Sequence, residues 1–98
     1  MVSKFDVYWY DRDGQKLPCV VVSPNELNAV LPYVMIAPIT QVERKYPCRV
    51  GIRIKGKQGQ IALDMLQTVK KAAFVERMGT LPTATHAEIN NILKQLFV

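Results

Sequence analysis

The residues best suited to binding chemistry are cations in the middle of the chain. Between positions 44 and 63 there are six basic side chains and no acidic one: Arg44, Lys45, Arg49, Arg53, Lys55 and Lys57. The whole chain carries a formal net charge of +5 at pH 7. Such a surface attracts polyanions or an acidic protein partner. Basic side chains along a strand are also typical of a solvated edge that resists aggregation, so both interpretations stay open.

Cysteine and histidine give no sign of a metal site or a disulfide framework. Cys19 and Cys48 lie in apolar, strand-like segments, and His86 is the single histidine of the chain. Two separated thiols and one imidazole do not form a zinc motif. We therefore expect no metal, no cofactor, two small buried thiols in a reducing compartment, and His86 at the surface.

The sequence also predicts the secondary structure that positions these residues. Its 98 residues are 49% hydrophobic and 21% charged, which is typical of one globular domain spanning 1–98. Alternating or continuous apolar segments predict strands at 5–10, 19–22, 33–39, 49–55 and 60–64, with one or two more between 66 and 74. Residues 56–59 predict a hairpin turn. In the fourth segment Arg49, Arg53 and Lys55 should share the face opposite the aliphatic residues.

Two capping boxes predict where helices begin. Ser23, followed by Pro24 and Glu26, predicts a short helical turn. Thr85 and Glu88 predict an amphipathic C-terminal helix, with its apolar stripe at 89, 92, 93 and 96. Many short strands and one terminal helix together predict a small SH3-like antiparallel β-barrel with the helix packed on it.

The N-terminal sequence favours a cytoplasmic protein without a membrane span. Asp6 stands where a signal peptide would have its apolar region. Apolar runs in the chain fall well short of the roughly 20 residues that a bilayer span needs.

Two ordered blocks resemble the MazF/PemK toxins of bacterial toxin-antitoxin modules. The first runs from Leu17-Pro18 through a valine run and Ser23-Pro24 to Pro38-Ile39-Thr40, and the second runs from Tyr46-Pro47-Cys48-Arg49-Val50 to Val69. Two blocks at the family's spacing are more specific than either alone. The resemblance implies a homodimer, an acidic and partly disordered cognate antitoxin, and metal-independent RNA cleavage through the ribose 2′-hydroxyl.

The same resemblance implies roles for individual residues. Thr40 matches the hydroxyl that hydrogen-bonds the phosphate, and Asp64 matches an acid of the family site. Leu17 stands where the family has an arginine that stabilises charge on the phosphate, which implies weak catalysis. Lys16 offers a neighbouring charge, without the bidentate fork of arginine. Thr40 and Asp64 also suit plain structural roles, as a strand-end cap and a turn acceptor.

The resemblance also implies that basic residues bind the RNA, namely Arg44, Lys45, Arg49, Arg53 and Lys55. Tyr8, Trp9 and Tyr10 fit either base stacking or core packing. A third interpretation, a plain nucleic-acid-binding barrel, rests on the basic strand alone.

A sister family, the CcdB gyrase poisons, provides the alternative function. Its first hairpin is short, as in this chain, and Phe5-Asp6-Val7-Tyr8 and Asp64-Met65 are similar to its pattern. The Trp-Gly-Ile motif through which those poisons act does not occur in the sequence. The alternative is therefore a non-cleaving member that binds gyrase or only an antitoxin.

Overall fold

The computed structural model describes residues 1–97, whose seven strands form one curled antiparallel sheet with a C-terminal helix. Along the sheet the strand order is β4-β5-β3-β2-β1-β7, and β6 also pairs with β3. The elements are β1 (Asp6–Arg12), β2 (Gln15–Val21), α1 (Asn25–Asn28), β3 (Tyr33–Thr40), β4 (Arg49–Ile54), β5 (Lys57–Ala62), β6 (Gln67–Lys70), β7 (Phe74–Thr80) and α2 (Thr83–Leu96). The predicted fold class is confirmed, in the form of a half-barrel.

Strand β3 is paired along both of its edges. Residues 19–21 of β2 pair with residues 36–38 on one edge. On the other edge β6 pairs with residues 33–36, and β5 pairs with Ile39 and Thr40. Pro38, which has no N–H for a sheet ladder, lies between those two segments. Thr40 is therefore held where β5 joins the sheet.

The core consists of two apolar clusters whose residues alternate along the strands. Val20 belongs to one cluster, while Cys19 and Val21 belong to the other. Successive residues of a strand point to opposite faces, so residues 19–21 of β2 are buried on both sides, as predicted for this segment. Cys19 is fully buried, and this burial raises the pKa of its thiol to about 12.

The turn between β4 and β5 differs from the predicted one. Ile54 pairs with Lys57, so the turn consists of Lys55 and Gly56, with φ of +49° and +79°. Both residues lie in the left-handed region, as a tight two-residue hairpin requires. Lys55 is thus outside β4, and its predicted place on the strand face with Arg49 is wrong.

Gly59, predicted as part of that turn, lies inside β5 where two strands approach closely. A Cβ at this position would lie 3.2 Å from Ile39 Cγ2 and 3.4 Å from the carbonyl oxygen of Thr40. The absence of a side chain at Gly59 therefore lets β5 pack tightly beside the end of β3.

Both predicted capping boxes are wrong. Helix α1 has Pro24 at its N-cap, and α2 begins at Thr83, after Pro82, with no side-chain cap on either helix. Ser23 Oγ instead donates to Asn28 Oδ1 at 2.5 Å and accepts from the Met35 N–H at 3.1 Å. The Ser23 hydroxyl therefore bonds to Asn28 and to β3, and does not cap the N-terminus of α1 as the local pattern predicted.

Helix α2 packs one face on the first core cluster. Ile89 is fully buried there, with Ile92 and Leu93 beside it, whereas Leu96 is exposed. His86 is half-buried, contrary to the surface position predicted for it, because its ring stacks on Phe5 with centroids 3.9 Å apart. Neither helix within residues 1–97 is long and apolar enough to cross a membrane.

We predict that Asn28→Ala lowers the free energy of unfolding by about 2 kcal/mol. The Asn28 side chain accepts from Ser23 Oγ and donates to the Ser23 carbonyl at 2.9 Å, and its loss leaves buried polar atoms unpaired. Urea unfolding at pH 7 measures the change. Glu26→Ala, at an exposed position in the same turn, is the matched control and should leave the midpoint nearly unchanged. Equal midpoints for the two variants would show that the Asn28 hydrogen bonds add no stability.

Candidate functional site

A groove of about 460 Å³ lies beside the end of β3. One wall comes from the β1–β2 hairpin, with Trp9, Leu17 and Pro18, and the other from the β4–β5 hairpin, with Lys55 and Lys57. Thr40 lines the groove between these walls. We call it the Thr40 groove.

Thr40 is positioned by backbone pairing and by its own hydroxyl. Its backbone pairs with Gln60 of β5, and its Oγ1 accepts a hydrogen bond from the Val42 N–H at 3.1 Å. A threonine hydroxyl that accepts one hydrogen bond still has its O–H to donate. Thr40 thus combines the predicted strand-end role with a hydroxyl that can still donate one hydrogen bond.

Leu17 and Lys16 take different positions although they are neighbours in β2. Leu17 lines the Thr40 groove, whereas Lys16 is exposed and pairs with Asp11 across the hairpin. Adjacent residues of a strand project to opposite faces. Leu17 packs against the second core cluster beside Tyr10, whereas Lys16 projects to the same face of β2 as Pro18. Lys16 itself is not among the residues that line the groove.

Asp64 lies in a bidentate ion pair with Arg49. Arg49 Nε donates to Asp64 Oδ1 at 2.6 Å, and Nη2 donates to Oδ2 at 3.1 Å. The side chains of Arg49 and Asp64 are 6% and 28% exposed, so water screens the pair only in part. The hydrogen bonds from Arg49 hold the pKa of Asp64 below its ordinary value, and those to Asp64 raise the pKa of Arg49.

Gln60 connects this ion pair to the loop that follows Thr40. Its Oε1 accepts from Arg49 Nη1 at 3.3 Å and from the Arg44 N–H at 3.0 Å, and its Nε2 donates to the Arg44 carbonyl at 3.2 Å. Arg49 Nη1 also donates to the Val42 carbonyl at 3.3 Å. Sequence reasoning missed Gln60, because an isolated glutamine in a strand gives no local signal of such contacts.

The predicted RNA-binding cations are dispersed over the structure. Arg49 is paired with Asp64, Arg53 is exposed on β4, and Arg44 and Lys45 are exposed in the loop after β3. Of the predicted set, Lys55 alone lines the Thr40 groove, and it is joined there by Lys57, which was not among the predicted site residues. The turn at 55 and 56 brings these two lysines to the same rim.

The three aromatic residues of β1 have different environments. Tyr10 is 2% exposed in the second core cluster, and Tyr8 stacks on Phe74 with ring centroids 4.4 Å apart. Trp9 is half-buried and lines the Thr40 groove. Core packing is therefore confirmed for Tyr10, while Trp9 borders an open space.

Comparison with known proteins now places the chain. Residues 3–97 match the family described as PemK-like, MazF-like toxin of type II toxin-antitoxin system. The chain belongs to the PemK/MazF-like toxin family. The resemblance found in the two sequence blocks is confirmed, and the protein is a toxin of a toxin-antitoxin system.

Solved structures share the fold of this toxin at low sequence identity. An endoribonuclease in complex with its cognate antitoxin from a Mycobacterial species has a TM-score of 0.87 and 24% identity, with 97% of this chain and 93% of that one covered. The Mycobacterium tuberculosis toxin MazF-mt6 has a TM-score of 0.83 and 17% identity, with 94% and 95% covered. A MazE-MazF complex from Deinococcus radiodurans has a TM-score of 0.83 and 23% identity, with 97% and 93% covered. A search of curated proteins found no match.

The ion pair predicts a pH-dependent stability. Because Arg49 lowers the pKa of Asp64 in the folded state, the pair stabilises the protein above the ordinary carboxyl pKa. That stability is lost as the pH falls through the lowered pKa. At pH 7 we expect Asp64→Asn to reduce the free energy of unfolding by about 2 kcal/mol.

Urea unfolding of Asp64→Asn and the unchanged protein from neutral to strongly acidic pH tests this. The difference between the two proteins should shrink as the medium becomes acidic. Asp11→Asn, at an exposed position of β1, is the control and should show a much smaller difference at neutral pH. A difference for Asp64→Asn that does not change with pH would contradict the assignment.

Proposed function

We propose that this toxin is a metal-independent endoribonuclease with a weakened site, and that Thr40 binds the phosphate at which RNA is cut. The observation that carries the proposal is the Thr40 groove. Thr40 lines it, the Thr40 hydroxyl accepts from the Val42 N–H, and the charged residues lining the groove within 1–97 are Lys55 and Lys57. The family match and the endoribonuclease among the similar structures support this function.

The proposed reaction depends on stabilisation of the negative charge that develops on the phosphate. The ribose 2′-oxygen attacks the adjacent phosphorus, the bond from phosphorus to the 5′-oxygen breaks, and a 2′,3′-cyclic phosphate remains. One proton leaves the 2′-hydroxyl and one is delivered to the leaving oxygen. Thr40 donates to the phosphate, and the two lysines neutralise part of the developing charge.

Leu17 removes the strongest donor of the family pattern. Removal of one such donor costs on the order of 10² to 10³ in rate, so cleavage by this chain should be slow. Asp64 is a positioning residue, because its carboxylate binds the Arg49 guanidinium. Arg49 in turn donates to Gln60 and to the Val42 carbonyl, and so holds the loop that follows β3. This loop in turn fixes the Thr40 hydroxyl.

We expect this toxin to form a homodimer and to bind a cognate antitoxin. The similar structures include a toxin solved with its antitoxin and a MazE-MazF complex. Arg44, Lys45 and Arg53 are exposed and complement an acidic, partly disordered peptide. The family match gives no reason to prefer gyrase as the target.

Co-expression with the small acidic product of an adjacent gene tests this pairing. We expect the two to co-purify and the melting temperature to rise, because a ligand of the folded state stabilises it. Light scattering of the toxin alone should give about twice the chain mass of 11.1 kDa. A monomeric toxin that binds no adjacent product would contradict both expectations.

The reaction itself is tested by Leu17→Arg. Leu17 borders the Thr40 groove, and the longer arginine side chain can reach it, so RNA cleavage in EDTA should rise on the order of 10²-fold. Adding Thr40→Val should abolish the gain, since both groups address one phosphate. Thr68→Arg, at an exposed position of β6, supplies the same charge elsewhere and should cause no gain. A folded Leu17→Arg protein without any gain would contradict the proposed site.

A further inference from the structure

The curled sheet leaves a gap between its first and last strands. β4 and β7 are the two ends of the strand order, and within residues 1–97 each of them pairs with a strand on one side only. Both strands line a groove of about 490 Å³, together with the start of α2. We call this groove, between residues 51–55 and 78–82, the edge groove.

The outer edge of β4 carries backbone groups that the sheet does not use. Ile54 pairs with Lys57 across the two-residue turn, which makes this a hydrogen-bonded pair. Such pairs alternate with pairs whose backbone groups point outward, so Gly51 and Arg53 direct their N–H and C=O groups away from β5. Both residues line the edge groove. An edge of this kind can pair with another extended segment.

β4 is a better template for such pairing than β7. The register of β4 with β5 is continuous over all six residues of β4. The register of β7 with β1 shifts twice, between Val7 and Tyr8 and between Trp9 and Tyr10. Irregularities of this kind disrupt the hydrogen-bond pattern of a strand. β7 is therefore the facing wall of the groove, and β4 is the edge that accepts a partner.

The groove suits a segment in which apolar and acidic residues alternate. Its inner side is apolar, because Val7, Ile52 and Leu81 line it and are part of the first core cluster or pack on it. The charged residues that line it within 1–97 are Arg53 and Lys55, and both are exposed. Successive side chains of an added strand point to opposite faces. Apolar side chains would then contact the core side, and acidic ones would contact Arg53.

We propose that an extended segment of the antitoxin, with alternating apolar and acidic residues, adds as a strand to the outer edge of β4 and fills the edge groove. The inference rests on the antitoxin expected above and does not depend on RNA cleavage. A second copy of the chain is a poorer occupant, because its own β4 would bring a second Arg53 to the same edge. Backbone pairing supplies affinity, and the alternating side chains supply specificity.

The probe is a short dye-labelled peptide in which valine or isoleucine alternates with glutamate. We expect it to bind the purified toxin in a saturable way, measured by fluorescence anisotropy, and more weakly at high salt because exposed charges are screened. A peptide of the same composition, with its apolar residues grouped together, cannot place them all on one face of a strand. It should bind about 10-fold more weakly.

Variants of the β4 edge separate backbone pairing from charge. Gly51→Pro removes an outward N–H and leaves the ladder to β5 intact, so it should weaken peptide binding about 10-fold. Gly51→Ala is the matched control, since its Cβ would lie 3.9 Å from Gln58 Nε2, an ordinary contact, and should leave binding unchanged. Arg53→Gln should weaken binding about 3-fold. Arg12→Gln removes the same charge at an exposed position of β1 and should have no effect.

Several outcomes would overturn the added strand. Equal affinity for the alternating and grouped peptides, or unchanged affinity in a folded Gly51→Pro protein, would do so. If Gly51→Pro does not fold, equal peptide affinity of Arg53→Gln and Arg12→Gln would do so instead. Conversion of a dimeric toxin to a monomer by Gly51→Pro would show that the edge pairs two copies. Binding of a short RNA that is lost in Arg53→Gln, without binding of the peptide, would assign the edge to RNA.

The same measurements distinguish this inference from the antitoxin expectation on which it rests. Co-purification with the product of an adjacent gene, without binding of the alternating peptide, would retain the antitoxin and overturn the site on β4. Peptide binding that depends on Gly51, in a toxin that co-purifies with no such product, would retain the site and overturn the antitoxin as its occupant.

Discussion

The fold depends on the double pairing of β3. One edge of this strand is occupied by β2, and the other is divided between β6 and β5 on either side of Pro38. A strand paired on both sides can neither slide nor twist independently of its neighbours. Thr40 is the last paired residue of β3, so its backbone is held in place by this pairing. Gly59 lets β5 pack closely against the end of β3. The half-barrel thus delivers a fixed hydroxyl to the border between sheet and loop.

Local sequence patterns predicted the architecture well and the contacts of single residues poorly. The period-two segments predicted the strands because alternation depends only on neighbours in the chain. Ser23 has the pattern of a helix cap, yet its hydroxyl contacts the Met35 N–H, which belongs to another strand. Gln60 links Arg49 to the loop after β3, and Lys57 reaches the groove because the turn closes at Lys55. Each of these outcomes depends on pairing between distant segments, which composition and spacing do not specify.

The cations that line the Thr40 groove lie on one side of it. Leu17 borders the groove while it packs against the second core cluster beside Tyr10, so position 17 brings no charge to the groove. The remaining cations, Lys55 and Lys57, lie on the opposite hairpin. Arg49 adds no free cation to them, because its guanidinium is paired with Asp64.

The burial of Cys19 has a practical consequence for chemical labelling. Thiolates, and not thiols, react with electrophilic dyes and oxidants, and a pKa of about 12 leaves Cys19 almost wholly protonated at neutral pH. Its side chain is also fully enclosed. The half-buried Cys48, next to Arg49 and packed against the first core cluster, is the more exposed of the two thiols. A dye that reacts with this protein should therefore attach at Cys48 before Cys19, beside the ion pair of Arg49 and Asp64.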